Sequence, residues 1–114
     1  MESVEMEVGT AEVRLLFPPA AGKDTRLLLD CRTIEEYATA KIIGSMLIPM
    51  QDIPARLAEL EPWREKQIVV HCHHGMRSLK VAEWLRKQGF LLAQSMRGGI
   101  DEWSREIDPS VPQY

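Results

Sequence analysis

Four short apolar runs punctuate the chain, at Leu27–Leu29, Ser45–Ile48, Gln67–Cys72 and Leu91–Met96, and helical spacing fills the stretches between them. Continuous apolar runs suit strands covered on both faces, and strands that alternate with helices predict an α/β fold around a parallel sheet. The expected strands are Val4–Val8, Arg26–Cys31, Ser45–Ile48, Gln67–Cys72 and Leu91–Met96. Thr10 is the expected cap of a helix to Leu16, stopped by Pro18-Pro19. Thr33 and Glu36 have capping-box spacing and predict a helix of about two turns. Ile53, Leu57 and Leu60 share one helical face, with Pro54 in its first turn. Ser78–Gln88 is predicted helical with Gly89 as its stop, and a last helix runs from Gly98-Gly99 through about Ile107.

With 114 residues, 45% of them hydrophobic and 27% charged, the chain predicts one folded domain over 1–114, with loose ends at 1–3 and 108–114. Its net charge of −3 offers no general field for nucleic acid or an anionic membrane. Nothing in it approaches the roughly 20 apolar residues of a membrane span. Met1–Glu5 lacks the basic and apolar regions of a signal peptide, so a cytoplasmic setting with reduced thiols is expected.

In parallel α/β sheets ligands bind beyond the carboxyl ends of the strands, where Asp30-Cys31-Arg32 and Cys72–Arg77 both fall. A cysteine between a buried strand and a helix N-terminus faces unpaired N–H groups and a partial positive charge, which favour its thiolate. Gly75 permits a turn in which successive amides converge, and Arg77 adds a permanent cation. The pattern predicts Cys72 as a nucleophile facing a small anion, which the segment His73, His74, Gly75, Met76, Arg77 and Ser78 would bind, chiefly through backbone N–H groups. Arg32 is a candidate for attracting the same anion, although a structural pairing with Asp30 also fits it. Strand alternation turns His71 away from Cys72. Cys31 is read as a small core residue, with a Cys31–Cys72 disulfide open if the two strands are neighbours. Gly98-Gly99 suggests close backbone approach. The run His71–His74 has no zinc-ligand spacing, so no metal is expected. One residue fewer separates Cys72 from Arg77 than in the cysteine-phosphatase pattern, which implies a narrower pocket suited to a single sulfur atom.

The segments Leu28–Arg32, Glu36-Tyr37, Ile42–Ser45, Ile48-Pro49, Val70–Ser78 and Gly98–Trp103 together resemble the single-domain rhodaneses, the thiosulfate sulfurtransferases. The resemblance covers most of the chain. It implies a three-layer, mostly parallel five-stranded sheet flanked by helices, with a persulfide carried on Cys72. The six-residue loop Cys72–Arg77 matches the sulfurtransferase members, whereas the cell-cycle phosphatases of the same fold use seven. Ala40-Lys41 departs from the Gly-His common in the family, and Cys31 from its usual valine. The tail Ile107–Tyr114 is similar to the end of rhodanese modules attached to enzymes that activate ubiquitin-like sulfur carriers. The implied donor is thiosulfate or a similar small sulfane anion, and the implied acceptor a thiol or a protein, without organic cofactor or metal. A sulfur-relay interaction module and an oxyanion hydrolase of phosphatase or arsenate type are the alternatives.

Overall fold

The computed structural model describes residues 4–18 and 25–114. The elements in order are β1 (Glu7–Val8), α1 (Thr10–Leu16), β2 (Arg26–Asp30), α2 (Ile34–Thr39), β3 (Met46–Leu47), β4 (Gln67–His71), α3 (Met76–Lys87), β5 (Ala93–Met96) and α4 (Gly99–Glu106). Two 3₁₀ segments, Met50–Asp52 and Leu57–Trp63, lie between β3 and β4. The five strands of the described residues pair in parallel, as the sequence pattern predicts, and in the order β1-β5-β4-β2-β3, which it leaves open. β4 therefore runs through the centre of the sheet, with β2 and β5 on either side.

Alternation along the strands divides the apolar side chains between two faces. Leu27, Leu29, Ile68 and Val70 pack with Val81, Ala82 and Leu85 of α3 and with Ile53 and Leu60 of the 3₁₀ region. Leu28 and Val69 face the other way, onto Val13 of α1 and Ile100 and Trp103 of α4. Three layers result, and Cys31 and Cys72 continue the first face. No helix among the described residues is long and apolar enough to cross a membrane.

Several local expectations are corrected. The strand expected at Val4–Val8 is confined to Glu7–Val8. Gly9, not Thr10, caps α1; the Thr10 hydroxyl instead donates to Glu102 of α4. The helix expected around Ile53–Leu60 is two 3₁₀ pieces, in a stretch where Pro54 and Pro62 each lack an N–H. α3 starts at Met76, two residues before the expected Ser78, because left-handed Gly75 (φ 105°) turns the chain straight into the helix. The capping box at Thr33 and Glu36 forms in full. The tail expected to be loose at 108–114 instead packs onto the domain. Val111 is buried, its carbonyl accepts from the Ser104 hydroxyl, and Tyr114 reaches the end of β4. Of the loose-end expectation, residues 1–3 lie outside the described residues, as does Pro19 of the expected Pro18-Pro19 stop.

Candidate active site

β4 delivers Cys72 one residue past its last ladder position, at the carboxyl edge of the central strand. The chain then closes a short loop and enters α3. Cys72 Sγ accepts hydrogen bonds from the N–H of Gly75 at 3.1 Å and of Ser78 at 3.3 Å, with Ser78 Oγ 3.4 Å away. Ser78 Oγ in turn shares a 2.7 Å hydrogen bond with Ser95 Oγ of β5. The residue is 1% exposed, yet its sulfur meets backbone donors rather than apolar carbon alone.

Two glycines make this geometry possible. The carbonyls of Cys72 and His73 accept from the N–H groups of Ile100 and Asp101, in the first turn of α4. Those bonds hold the loop carbonyls against α4. A Cβ on Gly99 would lie 2.3 Å from the His73 carbonyl oxygen and 2.6 Å from that of Cys72. The close approach expected of the Gly98-Gly99 pair is thus present at Gly99.

The nearest side chain in chemical kind is Cys31. Asp30 is the register partner of His71, and Cys31 N donates to the His71 carbonyl, so the ladder continues one step and sets Cys31 beside Cys72. Both cysteines are free and buried. Hydrogen bonding from the Cys31 thiol lowers the Cys72 pKa most, against the opposing effect of burial. Donation by Ser78 side chain and backbone and by Gly75 adds to it, and the Cys72 pKa falls from 9.0 to about 4. The Cys31 thiol is pushed far up, by its hydrogen bond to Cys72 and by burial.

Arg77 does not stand free over the loop. It makes a two-pronged ion pair with Glu36, at 2.7 and 2.9 Å, and remains partly exposed. Arg77 foremost, with help from the Tyr114 hydroxyl and the Thr33 N–H, holds the Glu36 carboxyl well below the usual carboxylate range despite burial. Tyr114 donates to Glu36 at 2.7 Å, accepts from Arg32 at 2.9 Å, and stacks its ring on His73 with centroids 3.9 Å apart. Burial first, and then the bond to Glu36, raise the Tyr114 pKa to about 12.

Of the two expectations for Arg32, the structure shows the pairing with Asp30 and not an open cation. Its side chain is fully buried, and its guanidinium donates to the Asp30 carboxylate, the carbonyls of Glu36 and Ala40, and the Tyr114 hydroxyl. A cation so engaged ties the end of β2 to α2 and is not available to an incoming anion. His71 is fully buried on the opposite face from Cys72, where burial lowers its pKa and keeps it neutral. His74 and Met76 are exposed at the mouth of the loop, and His73 is half-buried between the rings of His74 and Tyr114.

His73, His74 and Asp101 bring potential metal-ligand atoms within 4.8 Å of one another, a grouping their sequence spacing does not reveal. The two imidazole rings lie 3.9 Å apart, tilted by 33°, and Asp101 pairs with Arg105 at 3.2 Å. Sequence reasoning also missed Glu36 as the partner of Arg77, Ser95 behind Ser78, and Tyr114. Glu36 carried a capping signal and a place in the family resemblance, and Tyr114 a place in the tail, but none of the three carried a signal for these contacts.

A parallel α/β domain with a strand-end cysteine under a short, glycine-turned loop at a helix N-terminus defines the class. The chain belongs to the rhodanese-like family: residues 19–106 match the rhodanese-like domain. It is 35% identical over 85 residues to a sulfurtransferase of Allochromatium vinosum, covering 75% of this chain and 78% of that one. It is 36% identical over 95 residues to the chloroplastic rhodanese-like/PpiC domain-containing protein 12 of Arabidopsis thaliana, of which it spans only 31%. Among solved structures it resembles the human single-domain sulfurtransferase TSTD1, with a TM-score of 0.76 and 26% identity, covering 90% of this chain and 98% of that one. A rhodanese-related protein from Thermoplasma volcanium superposes with a TM-score of 0.78 at 27% identity, covering 96% and 100% of the two chains.

Proposed function

We propose that this protein is a sulfurtransferase that carries a sulfane sulfur on Cys72, taken from thiosulfate or a similar small anionic donor. The observation that carries the reading is the pair of N–H groups of Gly75 and Ser78 aimed at Cys72 Sγ, in a cysteine whose pKa lies near 4. Such a cysteine is a thiolate at neutral pH, and the thiolate is the nucleophile. It attacks the outer sulfur of thiosulfate, the donor's sulfur–sulfur bond breaks, and sulfite leaves with the electron pair. The outer sulfur of the resulting persulfide is held by the amides of the segment His73–Arg77, as oxyanions are held in other preorganised amide sites. Arg77, paired to Glu36, closes the rim and moderates the charge there. A nucleophilic acceptor (a thiol, a protein, or cyanide in an assay) then attacks that outer sulfur, and Cys72 leaves as the thiolate. Two half-reactions through one covalent intermediate give ping-pong kinetics. No metal or organic cofactor enters either step. Two free, buried thiols suit a reducing compartment such as the cytoplasm.

The test is intact mass after treatment with thiosulfate. The wild type gains one sulfur atom, cyanide removes it, and Cys72→Ser gains none and transfers none. Transfer at the wild-type rate by Cys72→Ser contradicts the proposal.

A second reading, a relay module loaded by a partner protein, draws on the names of relatives. The chain is 36% identical over 81 residues to the "putative sulfur carrier protein YrkF" of Bacillus subtilis, spanning 43% of it. It is 32% identical over 96 residues to the adenylyltransferase and sulfurtransferase MOCS3-1 of Zea mays, spanning 20% of it. A relay module shows feeble turnover of thiosulfate but accepts sulfur readily from a persulfidated protein.

A further inference from the structure

The transfer chemistry proposed above needs one thiol, and the site holds two. Cys31 and Cys72 stand just past the ends of adjacent parallel strands, one step beyond the Asp30–His71 register pair, with both side chains on the α3 face of the sheet. Neighbouring strands lie about 4.8 Å apart. A disulfide requires Cα atoms about 4.4 to 6.8 Å apart, so this placement is within reach without moving the sheet. The Cys31 backbone is fixed on both sides, by its N–H to the His71 carbonyl and by its carbonyl to the Met50 N–H. The Gly75 and Ser78 amides approach Cys72 Sγ from the loop beyond the strand end, whereas Cys31 approaches from the neighbouring strand. The two sides of the sulfur are therefore occupied by different chemistry.

We infer that Cys31 is a resolving thiol, which attacks Cys72 Sγ of the persulfide and releases its outer sulfur as sulfide. The Cys31 Sγ–Cys72 Sγ bond forms and the bond from Cys72 Sγ to the outer sulfur breaks. Hydrosulfide departs with the electron pair and takes up the proton that Cys31 loses. The sulfane sulfur is reduced and the two cysteines are oxidised together to a disulfide. A dithiol reductant then reopens the disulfide by exchange and leaves as its own cyclic disulfide. The site thereby gains a second outlet, in which sulfide leaves at the expense of a dithiol when no acceptor takes the sulfur.

The resting and loaded states differ in a way that suits this order of events. Before loading, the hydrogen bond to the Cys72 sulfur and burial hold Cys31 protonated, so it does not compete for the donor. After loading, the charge sits on the outer sulfur, one bond further from Cys31, and Cys72 Sγ becomes an electrophile. The inference rests on the persulfide reading, and the experiment separates the two.

Wild type, Cys31→Ala and Cys31→Val are loaded anaerobically at alkaline pH with thiosulfate, freed of excess donor, and kept without thiol while sulfide and intact mass are monitored. The wild type first gains one sulfur atom. It then loses that sulfur and two hydrogens, releases one sulfide per chain, and gives a Cys31–Cys72 cross-linked peptide on digestion. Both variants gain the sulfur and keep it, with loss of sulfide release. A wild type that holds its extra sulfur as long as the variants, with no sulfide and no cross-link, overturns the role of Cys31 and leaves the transfer reading standing. If no form gains sulfur, both fall together. Sulfide release and the cross-link are read on the wild type itself, and either both appear or neither does, so poor folding of a variant does not mask the result.

Discussion

Cys31 and Cys72 occupy matched places on adjacent central strands, each 1% exposed and each on the same face of the sheet. Their acidities are nonetheless pushed in opposite directions, Cys72 down to about 4 and Cys31 far up. Burial alone disfavours both thiolates. The difference lies in the backbone immediately C-terminal to each cysteine. After Cys72 the chain turns at Gly75 and presents the Gly75 and Ser78 N–H groups to the sulfur. After Cys31 comes Arg32, whose charge is taken up by Asp30, and the Thr33 cap bonds Glu36 rather than the sulfur. The thiol–thiol hydrogen bond serves whichever sulfur is charged, and the Ser78 hydroxyl and the Gly75 and Ser78 amides, rather than accessibility, make that sulfur Cys72.

The comparison breaks most visibly at Gly99, which lets α4 hold the loop carbonyls. Gly99→Ala puts a Cβ on the His73 carbonyl and forces φ 62° on a residue with a side chain. The expected cost is about 3 kcal/mol of unfolding free energy, read from the urea midpoint. The loop also opens, so alkylation of Cys72 at pH 6 slows; unchanged stability together with unchanged alkylation contradicts this role for α4.

Cys31→Ala sharpens the comparison by removing the largest favourable influence on Cys72. A hydrogen bond to a charged group is worth about 1.5 to 3 kcal/mol, so the Cys72 pKa rises by about one to two units. The pH profile of alkylation measures the shift. A Cys72 titration that stays put in this variant shows the loop amides to be sufficient by themselves.

Tyr114→Phe is expected to do least. It removes the hydroxyl between Arg32 and Glu36 but keeps the ring on His73, and the Glu36–Arg77 pair remains. The expected loss is about 1 kcal/mol in a urea titration, with the Cys72 pKa unmoved. A large drop in Cys72 reactivity would instead make the tail part of the machinery that sets the thiolate.

The sheet and the loop are legible in the sequence because their signals are local. Apolar runs, the Thr33–Glu36 capping box and the Gly75 turn each depend on neighbours a few residues away. The misreadings share a cause in tertiary pairing. The Asp30 pairing of Arg32 is legible two residues away, but nothing in the string tells that Ala40 and Tyr114 take up the rest of its guanidinium. Tyr114 looks loose there because its partners, Glu36 and His73, are distant in the chain. Cys31 reads correctly as a core residue, yet its bearing on Cys72 depends on the β2–β4 register, which the sequence suggests only as one of several strand orders.

The central claim is that Cys72 is ionised in the folded protein, and a difference titration between wild type and Cys72→Ala, monitored by the ultraviolet absorbance of the thiolate, tests it most directly. The folded pKa is depressed from 9.0 to about 4, so the thiolate persists as pH falls from alkaline values and is lost only as pH passes through about 4. The account predicts a full thiolate signal still present at pH 6. A signal that disappears between pH 9 and pH 7 contradicts it.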